Sequence, residues 1–173
     1  MVTISIIGIL SAIVYANFGQ ARASARDEIR KTDLKNVQLA LELYKAQFGR
    51  YPASCNGDGQ WGGSSGTNWD CPGAQTEYIS GLKPDFIADL PFDPRTSSNR
   101  SYIYRTNAAN VPVGAPAGSI FKLMAHHTVE VNSITSYNQE FARCDRHYDG
   151  DFDCPTNPQL TVYAVYSPGA ETW

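Results

Sequence analysis

Charge is scarce in this sequence. Only 18% of its residues are Asp, Glu, Lys or Arg, and acidic side chains outnumber basic ones 17 to 14, for a net charge of −3. That balance excludes a nucleic-acid binder working through a strong basic field. Recognised catalytic strings are scarce too. Neither H-E-x-x-H nor a phosphate-cradling glycine loop occurs. The adjacent His126 and His127 follow a predicted strand, where neighbouring side chains face opposite ways. His147 sits in an acidic loop with no oriented nucleophile beside it. The expectation is a chain that is not an enzyme. No cysteine pair has the C-x-x-C spacing of a zinc or thioredoxin-type site.

The four cysteines instead form two local groups, Cys55 with Cys71 and Cys144 with Cys154. An even count in loop-rich sequence reads as disulfides made in an oxidising compartment. Sequence leaves three connectivities open. The local pairs are favoured because each closes a turn-rich loop with little core of its own, worth about 3 kcal/mol for a loop of about 15 residues.

Met1 to Phe18 carries no charge at all (MVTISIIGILSAIVYANF). As a helix it would be about 27 Å long, at the short limit for a hydrocarbon core of about 30 Å. A cleaved signal peptide needs a basic start, and no Lys or Arg precedes Arg22. A buried core helix is seldom apolar on every side at a chain terminus. A membrane helix fits, although Arg22, Arg26, Arg30 and Lys31 after the span would place the rest in the cytoplasm, against the cysteines. A basic leader ahead of Met1 would remove the conflict.

The helical pattern runs on. Ala21 to Phe48 lacks Gly and Pro and is rich in helix formers. Leu34, Val37, Leu41, Tyr44 and Phe48 recur at three- and four-residue steps, the mark of a single buried face. Gly49 and Pro52 then stop the pattern. One helix of about 48 residues, about 72 Å long, is predicted, with Gly19 as a soft point. Beyond it, Thr76 to Ile87 reads as a short helix interrupted by Gly81 and Pro84. Ser101–Arg105, Ser119–Ala125 and Leu160–Tyr166 read as strands. Trp61 and Trp69 read as core for the Ala53–Gln75 loop. The fold class is α+β: a long helix, apolar first and amphipathic later, packed on a small antiparallel sheet with disulfide-closed loops. Residues 1–20 form a membrane or filament-core helix, and residues 21–173 a globular domain that includes the amphipathic stretch 21–49.

The run MVTISIIGILSAIVYANFGQARASARD resembles the N-terminal helix of type IV pilins and type II secretion pseudopilins, IIGILSAI being its most specific part. Gly81–Arg105, with Leu90-Pro91-Phe92-Asp93-Pro94 and Tyr102-Ile103-Tyr104, resembles the segment before the first strands of those proteins. The resemblance implies a pilin fold and a basic leader, cleavage site, methylated first residue and glutamate upstream of Met1. It implies a homo-oligomer, held in the inner membrane first and then built by a pilus or secretion machinery into an extracellular filament. Its core would be Ile4, Ile6, Ile7, Ile9, Leu10, Ile13 and Val14. A pseudopilin in a periplasmic pseudopilus is one alternative. A membrane-anchored binding module that never polymerises is the other.

Two modification or ligand sites remain. Asp149, Asp151 and Asp153, with Asp145, repeat the opening of a calcium loop, although Cys154 and Leu160 stand where an EF-hand needs Gly and Glu. No cofactor is required, and a structural calcium ion is the candidate. Asn99-Arg100-Ser101 has the pattern of a glycosylation sequon.

Overall fold

The computed structural model describes residues 2–173 apart from 65–68, 70, 73–76, 96–100, 132–133, 135, 137–138, 144–161 and 172; inside the helix, the side chains of 2–5 and 7–17 also lie outside the description. Helix α1 spans Val2–Phe48 without interruption, including Gly19. It ends where expected. Gly49 takes the left-handed conformation at φ 73° and donates its N–H to the Lys45 carbonyl at 2.8 Å, a glycine C-terminal cap.

Four strands follow: β1 (Gly62–Gly63), β2 (Ser101–Thr106), β3 (Phe121–His126) and β4 (Tyr163–Tyr166). They pair antiparallel in sequence order. Tyr104 lies opposite Gly62 and Leu123, and Leu123 lies opposite Val165. This is an α+β protein, one long helix on a four-stranded antiparallel sheet.

Strand alternation divides the sheet into two faces. Tyr102, Tyr104, Phe121, Leu123, Ala125, Tyr163 and Val165 join Leu34, Val37, Ala40 and Leu41 of the helix in the main core. Full burial of each large aliphatic side chain there is worth about 1.5–3 kcal/mol. The phenol groups are satisfied as they are buried: Tyr102 donates to Asp33 and Tyr104 to the Pro52 carbonyl, both at 2.7 Å. The outer face packs Ile103, Met124, Val162 and Ala164 under Trp61, Trp69 and Tyr166. The tryptophans therefore contribute core, as the sequence suggested.

A disulfide joins Cys55 to Cys71, closing the local loop. Cys144 and Cys154 lie outside the described residues.

Three expectations need correction. The described part of the Thr76–Ile87 segment is turns and not a helix: Gly81 sits at φ 72° and Pro84 has no N–H to give. Phe48 is 53% exposed, its ring packed beside those of Tyr44 and Phe86 at the end of the helix. The histidine rings do not diverge. His127 leaves the strand at φ 54°, bringing its ring centroid within 4.0 Å of that of His126.

Candidate assembly helix and its ionic anchor

Among the described side chains, the first buried one on α1 is Asp27. Every described side chain before it is exposed or half-buried, with Ile6 50% and Phe18 52% exposed. From Val2 to Ala25 the helix thus extends for about 36 Å with no described side chain buried in the domain. Ile4, Ile7, Ile9, Leu10, Ile13 and Val14 lie on this helical stretch, with side chains outside the description.

Where the helix meets the domain, the buried stripe continues in charge. Asp27 and Arg30 extend the three- and four-residue steps of Leu34, Val37 and Leu41, and both are buried. Arg30 is 0% exposed. Its guanidinium donates to both oxygens of Asp93 at 2.7 and 3.0 Å, to Asp27 at 2.6 Å and to Glu130 at 3.0 Å. Arg26 holds Glu130 with a bidentate fork at 2.7 and 2.6 Å, and Arg95 adds a third grip at 2.8 Å. Asp27 also accepts the backbone N–H groups of Glu130 and Val131. Arg26, Arg30 and Arg95 balance Asp27, Asp93 and Glu130, so the cluster is neutral.

Its electrostatics follow from those contacts. The hydrogen bond from Arg26 holds the Glu130 carboxyl well below the usual range; burial opposes this, and Arg95 and Arg30 reinforce it. Burial works against the Arg30 charge, yet Asp93, Glu130 and Asp27 outweigh it and raise the guanidinium above its ordinary value. The cluster ties two distant pieces of chain, Asp93–Arg95 and Glu130–Val131, to one turn of helix. It is a clamp at the root of the exposed segment.

Further apolar surface lies along the helix. Phe18, Ile29, Leu39 and Leu43 are exposed and fall within about 80° of arc at about 3.6 residues per turn, opposite the core stripe. Beyond the helix C-terminus, the β2–β3 connection presents Val111 and a 98% exposed Val113. The buried Asn107 braces that loop, donating to the Ala108 and Pro116 carbonyls and accepting from Ser119 and Ile120.

Other candidates are placed as follows. Asp145, Asp149, Asp151, Asp153, His147 and Asn99 lie outside the described residues. Among the described residues no group of His, Cys, Asp or Glu could hold a metal ion, and no helix is long and apolar enough to cross a membrane. Gly62 to Gly66 spells a G-x-S-x-G string. A nucleophile elbow needs that serine exposed between a strand and a helix. Ser64 is buried, accepts the Tyr102 N–H at 3.2 Å and follows a two-residue strand with no helix among the described residues after it.

No family model, curated protein or solved structure matches this chain.

Proposed function

We propose that this chain is the structural subunit of a type IV pilus-like extracellular filament with a pilin fold, polymerising through its apolar N-terminal helix. The observation that carries this reading is the helix that continues for about 36 Å beyond Asp27, the first buried residue among its described side chains. Its sequence from Met1 to Phe18 is uncharged. Such a segment needs apolar surroundings on all sides. In the proposal it finds them first in the inner membrane and then among the helices of other copies. Residues 1–20 are the shared part and residues 21–173 the private domain.

Two features support the same reading. The Cys55–Cys71 disulfide suits a domain matured outside the cytoplasm. The exposed helix stripe and the Val111–Val113 knob are different surfaces of one chain. Contacts between unlike surfaces that do not close into a ring generate open helical assemblies. Assembly uses no catalytic group of this chain and depends on a pilus-type machinery to extract the subunit from the membrane.

The test is a charge in the proposed core. Ile7→Asp or Leu10→Asp should abolish fibres seen by electron microscopy, while the domain keeps its melting temperature. Ile6→Asp, at a side chain already 50% exposed in the single chain, should do the same. Fibres of normal length from all three variants would overturn the proposal.

A further inference from the structure

The outer face of the sheet sets two cations side by side. Arg105 on β2 and Lys122 on β3 are cross-strand partners, on the face that also carries Ile103 and Met124. Like charges directly opposite one another repel. Lys122 is buried and donates to the backbone carbonyls of Glu171 and Trp173 at 2.8 and 2.6 Å.

Arg105 is held differently. Its guanidinium carbon lies 5.1 Å from the Trp173 ring centroid and 5.7 Å from that of Trp61. Its Nε is buried without an acceptor, and no oxygen of the described residues accepts from its other N–H groups. Arg26, Arg30, Arg50 and Arg95 each meet a carboxylate; Arg105 meets none among the described residues. Burial accordingly lowers its pKa with nothing to offset it. Ring faces attract the positive charge, but they do not take the hydrogen bonds that the guanidinium edge is built to give. The rings steady the guanidinium while its donor edge stays unused. That arrangement is a pre-oriented fork for a planar acceptor.

We propose that Arg105, steadied by Trp61 and Trp173, is a receptor for a carboxylate. The carboxylate comes either from a small organic acid in solution or from an acidic side chain of a second copy of this chain; the chemistry of recognition is the same. The site does not depend on the filament reading.

The test uses the full chain in mild detergent, with the Arg105 Nε–H resonance and tryptophan fluorescence as readouts. Sodium acetate and sodium benzoate are titrated against sodium chloride of matched ionic strength. A saturable shift of the Nε–H signal and a fluorescence change in the millimolar range, both lost in Arg105→Gln, establish the soluble source. Arg105→Lys, which keeps charge but not the fork, should bind about tenfold more weakly. If neither acid acts but the Nε–H signal moves as the protein is concentrated, and Arg105→Gln loses that self-association, the carboxylate belongs to a second copy. A signal that responds to neither acid nor protein concentration overturns the proposal, as does equal binding by Arg105→Gln. The direct readout on the unaltered chain stands even where a variant folds poorly.

Discussion

Replacing Arg30 with Met should be among the most damaging single changes in the domain. The side chain is 0% exposed and makes four charge-assisted hydrogen bonds, two to Asp93 and one each to Asp27 and Glu130. Glu130 would keep Arg26 and Arg95. Asp93 would keep only the Arg95 backbone N–H, and Asp27 only the N–H groups of Glu130 and Val131. Two buried carboxylates would then lack their cation. Breaking a buried pair from one side costs about 3–5 kcal/mol. At about 2–4 °C per kcal/mol for a chain of this size, the melting temperature should fall by roughly 6–20 °C. Circular dichroism melting at pH 7 reads this directly. Arg50→Met is the internal control: that residue pairs with Asp58 at 2.6 Å, but both side chains are partly exposed, 41% and 28%, so the loss should stay near or below about 1 kcal/mol. If Arg30→Met melts within a degree or two of Arg50→Met, the clamp contributes nothing and the reasoning fails.

Acid should weaken the same clamp. The Glu130 carboxyl is held below its ordinary value, so its contribution is complete above the unfolded carboxyl range near pH 4.5 and declines as the pH falls below that. Glu130→Gln should lower the melting temperature at pH 7 and flatten this acid limb, which a series of melts against pH would show. His126 acts in a higher window. Burial, then the charges of His127 and Arg143, push its pKa down to about 4. The unfolded chain therefore takes up a proton first, and stability should decline from about pH 6.5 toward pH 4. His126→Gln should remove that slope while leaving the Glu130 limb in place. Reduction of Cys55–Cys71, or Cys55→Ser, should cost about 3 kcal/mol on the loop-entropy model; a melt unchanged by reductant would show that the loop is already ordered without its bridge.

Much of the architecture is legible along the chain because the signals are local. Apolar spacing gives α1, Gly49 marks its end, and alternating β-favouring residues give β4 whole and β2 and β3 up to their last residues, Thr106 and His126. The uncharged start of the helix is likewise visible in composition alone, and the proposed assembly role rests on it. Strand β1 is invisible, since Gly62-Gly63 has no strand propensity and pairs only because β2 offers an open edge. The Thr76–Ile87 segment reads as a helix, but its described residues are turns, because Gly81 and Pro84 set the backbone there instead of interrupting a helix.

The ionic clamp shows where sequence stops and tertiary structure begins. Asp27 and Arg30 continue the core spacing of Leu34, Val37 and Leu41, and that hint was present. A charged residue at a core position reads as a break in the stripe, however, until its partners are known. Those partners, Asp93 and Glu130, lie 63 and 100 residues away from Arg30, and no periodicity links them. By itself the sequence determined a long helix, apolar and then amphipathic, since helix and strand patterns are read from neighbours a few positions apart. Only the folded chain decided that Asp27 and Arg30 are buried, that Arg105 faces two indole rings with no carboxylate of the described residues beside it, and that the domain takes hold of its helix at Asp27. Each depends on which distant segments share a low-dielectric interior, where a charge is kept only if another part of the chain arrives to meet it.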